Sequence, residues 1–304
     1  MIIDDCLLEK INAVLRKCDG NIVGRKKNVR KDKIQSFVLY LLLVYSKYRS
    51  CYLIDCLPCY SIATAVDIVA DISDYFNLRR EIFTIFLLGD DVAIANNDEL
   101  REKIYSKDNR TTVLLEVSPR QAKVALESTL NIAVQSFLSS MEKGLLRVTQ
   151  GFDVYRIPHG ADLPFAAGWL LGYACVYTSA RSSDHDDGSI NLGEAVIQFS
   201  VMAELGCAVM EHTQGIPTAK DKTRKVDTVL VDLMEFTIPQ APLLLSGDEG
   251  GASLEDFVQA QVEDFVAELR SRILATGGGL GSALQLRTVS FSKSVHAVAQ
   301  KMFL

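Results

Sequence analysis

Apolar and polar positions along this chain follow two rhythms, and the change between them separates its halves. In the first half, Cys6, Leu7, Ile11, Val14 and Leu15 recur at helical spacing and Asp19-Gly20 supplies a stop, which predicts a short amphipathic helix over residues 4–17. Phe37, Val38, Leu41, Leu42 and Tyr45 predict a second helix from Ile34, with Gln35, Ser36 and Lys47 on its polar side. A short apolar strand at 52–54 ends at Asp55, and Ile62, Ala65, Val66, Val69 and Phe76 restore the helical period over 61–76. Apolar runs at 82–88 and 112–117 predict two further strands, separated by a polar, partly helical surface excursion at 96–110. Ser118-Pro119 opens a predicted helix, with proline in its first turn, that runs through Val124, Leu126, Leu130, Val134, Phe137 and Met141 to Gly144. Strands alternating with helices at ~30-residue spacing predict βαβ units and a mainly parallel sheet.

Beyond residue 150 the rhythm shortens. A strand is predicted at 154–157. A short apolar helix then holds the chain's one tryptophan, Trp169, and Gly172 stops it before a buried strand at 174–178. Runs at 195–203 and 228–236 alternate in part, as in Val229, Val231 and Leu233, and predict antiparallel strands that extend the sheet. The polar stretches 180–189 and 213–225 are expected to be the most mobile loops. After a glycine-rich, acidic linker at 243–252, Ser253 caps a predicted helix through Leu254, Phe257, Val258, Gln261, Phe265, Leu269 and Ile273. A strand at 286–291 closes the pattern, with no internal repeat. The expected architecture is one α/β domain over 1–304, whose mixed sheet has parallel βαβ units in 1–150, antiparallel strands in 151–304, and helices on its faces.

Composition narrows the classes of function. With 304 residues, 48% of them hydrophobic, the chain can bury a large core, and a charged fraction of 23% argues against extended disorder. A net charge of −6 provides no basic field to attract nucleic acid. The local run of Arg25, Lys26, Lys27, Arg30, Lys31 and Lys33 has no interleaved aromatics and reads as a solvated loop. The longest apolar run, 37–45, is about half of the ~20 residues a bilayer span needs, so no membrane association is expected. The acidic opening MIIDDCLLEK lacks the features of a secretory signal, and seven cysteines fit reduced thiols. An intracellular protein, cytoplasmic or nuclear, is expected.

Candidate chemistry is sparse. Cys56-Leu57-Pro58-Cys59 has dithiol spacing after a strand and before a helix, where a helix N-terminus can lower the first thiol's pKa. Buried core thiols are the default reading. Zinc binding by Cys51, Cys56 and Cys59 lacks a fourth ligand nearby, so no metal or cofactor is expected. Asp55 closes the strand at 52–54; it either emerges at a ligand cleft on the carboxyl edge of the sheet or serves the backbone of the next loop and helix cap. His159 precedes the Trp169 helix and is the best single acid–base candidate, weighed against a surface histidine. The acidic run Asp184-His185-Asp186-Asp187-Gly188 misses calcium-loop spacing, with Ser189 at the glycine position and Ala195 at the glutamate position. Gly277-Gly278-Gly279-Leu280-Gly281 follows a helix, the reverse of dinucleotide-binding context, and reads as a C-cap and linker. The four histidines form no HExxH pattern, and no GxSxG elbow is present.

Several of these segments together resemble an uncharacterised animal protein family, a domain of unknown function typified by a human chromosome 1 open-reading-frame protein. The resemblance rests on Leu163-Pro164, on 168–177 (GWLLGYACVY), and on Asp186-Asp187-Gly188 followed by Asn191. It continues through 231–239 (VDLMEFTIP) and 286–298 (LRTVSFSKSVHAV), and Tyr52-Leu53-Ile54-Asp55 is similar to the family's early strand. The sequence departs from the family at Ala174, where proline is usual, and at Cys56 and Cys59, which have no counterpart. The resemblance implies a single domain and carries over no catalytic residue. The expected function is binding of a protein partner or a small molecule, without a complete catalytic constellation. The alternative is a small-molecule or thiol-redox enzyme using a strand-end cleft near Asp55 and Cys56/Cys59.

Overall fold

The computed structural model describes residues 3–18, 29–57, 61–105, 112–117, 122–125, 127–157, 162–179, 189–190, 195–207, 227–240, 253–276, 284–297 and 302–303. Helices α1 (Asp5–Cys18) and α2 (Lys31–Tyr45) precede strand β1 (Cys51–Leu53) and helix α3 (Ile62–Phe76). A single 3-10 turn (Arg80–Ile82) leads into β2 (Phe83–Leu88), which turns back as β3 (Asp91–Asn96) and continues into α4 (Asn97–Tyr105). Next come β4 (Val113–Val117), β5 (Ala122–Val124), α5 (Glu127–Gly144), β6 (Leu145–Thr149) and β7 (Phe152–Ile157). Helix α6 (Leu163–Leu171) and β8 (Cys175–Ser179) follow. The remaining elements are β9 (Ser189–Ile190), β10 (Ala195–Cys207), β11 (Asp227–Pro239), α7 (Leu254–Thr276), β12 (Leu284–Ala297) and β13 (Met302–Phe303).

The central sheet runs β1-β3-β2-β7-β6, and its two-residue alternation serves two cores at once. Phe83, Ile85, Val92, Ile94, Phe152 and Val154 share one core with Leu41 and Val69 from α2 and α3. The alternate positions Phe86, Leu88, Ala93, Ala95 and Ile157 share the other with Phe137, Phe165 and Trp169 from α5 and α6. Phe86 stacks on Tyr155 at 5.4 Å across the parallel β2–β7 pair. A second sheet, β11-β10-β12, is antiparallel throughout. Helix α7 buries Leu254, Val258, Val262, Val266 and Leu269, a stripe that belongs to the first core together with Phe199, Val201 and Leu205 of β10. A third sheet, β5-β4-β8, pairs β4 with β8 in parallel.

The chain therefore adopts the mixed α/β class expected from its sequence, with helices on the faces of parallel and antiparallel strands. Its strand order differs in detail from the sequence expectation. A strand missed in the sequence, β3, folds back on β2 through Gly89-Asp90 and pairs antiparallel with both β1 and β2. Strands β1 and β2 thus share a direction without being neighbours. Strand β6 was missed as well; Gln150 and Gly151 link it to β7, both at positive φ (53° and 91°), the conformation a tight hairpin turn requires. Residues 122–124, including Val124, form a strand against β4 rather than the start of a helix, and α5 begins at Glu127. The antiparallel strands of the second half pair with one another, while the first-half strands β2 and β4 take parallel partners, β7 and β8, from beyond residue 150. No described helix is long and apolar enough to cross a membrane.

Candidate functional site

Asp55 lies exposed just past β1, and Tyr52 donates its hydroxyl hydrogen to Asp55 Oδ1 at 3.1 Å. The cap of α3 is Ser61, whose hydroxyl accepts from the Thr64 N–H at 3.1 Å, so the capping task considered for Asp55 is done elsewhere. Ser61→Ala is expected to lose roughly 0.5–2 kcal/mol of stability in urea titration. Asp55→Asn should lose less than Ser61→Ala does, because it leaves that cap intact. The Cys56 sulfur is 2.9 Å from the Tyr52 hydroxyl and donates to the Lys33 carbonyl at 3.6 Å. Burial pushes the Cys56 thiol up, against the lowering effect of the Tyr52 hydrogen bond. This is the opposite direction from the helix-dipole effect expected at the dithiol, because α3 starts only at Ile62, beyond its Ser61 cap. Cys51 is fully enclosed in β1, and burial pushes its thiol up to about 12. Iodoacetamide at neutral pH is expected to modify exposed Cys6 well before Cys56, as read by peptide mass spectrometry. A Cys56 that reacted first would show a stabilised thiolate.

Cys59 and His159 lie outside the described residues, as do His185, His212, the acidic turn 184–188, the glycine run 277–281, the linker 243–252, residues 213–225 and most of 180–189. His296 is exposed on β12, its Nε2 2.8 Å from the Ser294 hydroxyl. Among the described residues, no three His, Cys, Asp or Glu side chains converge in a way that could hold a metal ion.

A cleft of 340 Å³ opens at the amino ends of β1, β4 and β8, marked by Ser50, Thr112 and Ala174. Neither Asp55 nor Cys56 lines it. One wall is the loop 47–50 between α2 and β1, and Glu99 and Lys103 of α4 adjoin it. The end of α6 contributes Leu171 and Gly172, β11 contributes Leu233 and Met234, and α7 closes the far side from Gln261 to Arg272.

Local sequence explains how these pieces meet. Asn96, fully buried at the end of β3, donates its amide to the Val44 carbonyl at 2.8 Å, and its N–H reaches the Ser50 carbonyl at 2.9 Å. That clamps the end of α2 to the central sheet and sets the turn that follows. Asp162 caps α6 by accepting from the Phe165 N–H, and it also accepts from the Thr178 hydroxyl, which ties the start of α6 to the end of β8. Gly172 ends α6 in the left-handed region, at φ 79°. A Cβ there would come within 3.3 Å of the Ser50 hydroxyl and 3.4 Å of the Lys103 ammonium, so only glycine leaves this corner of the cleft open.

Among the described residues, four cations, Lys47, Arg49, Lys103 and Arg272, and three acids, Glu99, Asp264 and Glu268, line the cleft. Arg272 donates to the Lys47 carbonyl at 2.6 Å and to Glu268 at 2.5 Å, and lies 3.8 Å from Glu99, tying α7 to the 47–50 loop. Lys47 pairs with Asp98 at 3.4 Å. Lys103 donates to the Trp169 carbonyl at 2.6 Å, a cation at the carboxyl end of α6, and its ammonium sits 5.3 Å from the Trp169 ring centroid. Desolvation brings the Lys103 ammonium down to about 8. Burial pushes Glu99 up against the pull of Arg272, and among the described residues its Oε1 has no hydrogen-bond partner. Arg49 instead lies over the rings of Tyr40 (4.9 Å) and Tyr52 (5.7 Å), and no carboxylate pairs with it among the described residues.

The sequence reading missed these residues because the cleft's lining comes from six separate segments. One local signal was present: Gln261 interrupts the apolar stripe of α7 and lines the cleft beside the buried Val262, which also borders it. Comparison of the chain with models of protein families, with curated proteins and with solved structures found no match in any of the three.

Proposed function

We propose that this protein works by binding a small molecule in the cleft between the 47–50 loop, α4, the end of α6, β11 and α7. The observation that carries this reading is the cleft itself: 340 Å³ of concave space with an apolar wall of Leu171, Ala174, Leu233, Met234, Val262 and Phe265 and charged groups from several elements. That combination is typical of ligand sites. The thiol-redox alternative has less support, because burial pushes the Cys56 thiol up and its sulfur faces a carbonyl. Kinship with the uncharacterised animal family is part of the same proposal. Two of the segments that carry the resemblance, 168–177 and 231–239, supply Leu171, Gly172, Ala174, Leu233 and Met234 to the cleft. The reading fits an intracellular setting, cytoplasmic or nuclear.

Native mass spectrometry of protein purified without denaturation tests it. A bound small molecule is expected on the wild type and should be absent from Gln261→Trp, which fills the cleft from α7 while leaving the buried stripe of that helix intact. If the wild type carries no ligand and a metabolite screen by thermal shift gives no hit, the reading fails.

A further inference from the structure

Of the four cations around the cleft, three are held by acceptors of the protein itself. Arg272 is taken up by Glu268 and the Lys47 carbonyl, Lys47 by Asp98, and Lys103 by the carboxyl end of α6. Arg49 is held by aromatic faces, and the surface beneath it is well fixed. Tyr40 and Tyr52 stack at 4.8 Å and 24°, and Tyr52 also packs on Phe37 at 5.9 Å. The Tyr52 hydroxyl is held by Asp55 and Cys56. A guanidinium held against two rings, with no carboxylate paired to it among the described residues, keeps N–H groups for an acid while losing little side-chain freedom on binding.

We propose that the cleft binds a small organic acid, a carboxylate or phosphate on an apolar body, and that Arg49 anchors its acid group. This deepens the binding function proposed above and rests on it. The apolar body packs against Leu171, Leu233, Met234 and Phe265, and the acid reaches the rim at Arg49.

The test uses three probes that share a phenyl ring, benzoate, its near-isosteric neutral amide benzamide, and phenyl phosphate, with binding followed by ligand-observed NMR and by the fluorescence of the single tryptophan, Trp169. Both acids, or one of them, are expected to bind more tightly than benzamide and to weaken as salt is raised. The tighter acid identifies carboxylate or phosphate as the anchored group. Arg49→Gln should weaken acid binding by roughly tenfold or more while leaving benzamide unchanged. Arg49→Lys, which keeps the charge but loses the planar stack, should fall between. Should Arg49→Gln fail to fold, the wild-type preference for acid over amide and the Arg49→Lys series still decide the matter. Equal binding of acid and amide, abolished by Gln261→Trp, leaves a binding cleft but overturns the acid anchor. If no probe binds and no co-purified ligand is found, both readings are overturned together.

Discussion

Replacing Trp169 by alanine is expected to destabilise the protein by about 3–5 kcal/mol, the range for removing a large buried aromatic. Trp169 is 4% exposed and meets Phe137 edge-on at 5.3 Å and 61°, in a core shared with Phe86, Phe165 and Val176. The space cannot refill easily, because Gly168 already brings α6 so close to β8 that a Cβ there would lie 3.0 Å from Val176 Cγ1. The same change leaves the Lys103 ammonium without the ring beneath it, so binding in the cleft proposed above is expected to weaken as well. Urea titration read by circular dichroism measures the first effect. Trp169→Phe, which retains most of the volume, should lose less than half as much. A loss below about 1 kcal/mol for Trp169→Ala would mean that α6 does not pack on the central sheet as described.

Phe199→Ala is expected to have an effect of similar size, about 3–5 kcal/mol, through the other core. Phe199 is fully buried at the middle of β10, directly opposite Phe236 of β11 and stacked on it at 5.5 Å and 13°. It also stacks on Phe291 of β12 at 6.0 Å, so one ring joins all three strands of the second sheet. Phe236 stacks in turn on Tyr173 at 5.3 Å, and the Tyr177 hydroxyl donates to the Thr237 carbonyl, which links this sheet to the segment around β8. Hydrogen exchange should therefore show protection falling first across β10, β11 and β12 in the mutant. Equal loss in α5 and α6, whose buried residues belong to the other core, would show that the two cores unfold as one unit.

Several features were readable from the chain order. The helices α1, α2, α3, α6 and α7 follow from apolar spacing together with local signals: Ser61 and Ser253 at N-caps, and Gly172 at a stop. These depend on contacts within a few residues, so a linear pattern contains them. The strands at 83–88, 113–117, 152–157 and 175–179 were evident as short apolar runs. Less evident were β3, the return strand of one hairpin, and β6, the leading strand of another, although Gly89-Asp90 and Gln150-Gly151 mark their turns. Strand β5 was hidden because Ala122–Val124 has no period of its own and gains its identity from pairing with β4.

The sequence by itself determined the α/β class and the positions of most elements, because propensity, capping and periodicity act locally. Only the tertiary structure decided strand order, since an apolar run with two buried faces specifies burial but no neighbour. It also decided the candidate site. Asp55 and Cys56 stood out because their chemistry is visible in one stretch of chain, yet they meet at Tyr52, outside the cleft. Arg49, Lys103, Gln261 and Arg272 look like ordinary polar residues in sequence and become a candidate site only when a buried asparagine, a left-handed glycine and the stripe of α7 bring six distant segments to one cavity. Convergence of that kind depends on long-range packing, which no local pattern encodes.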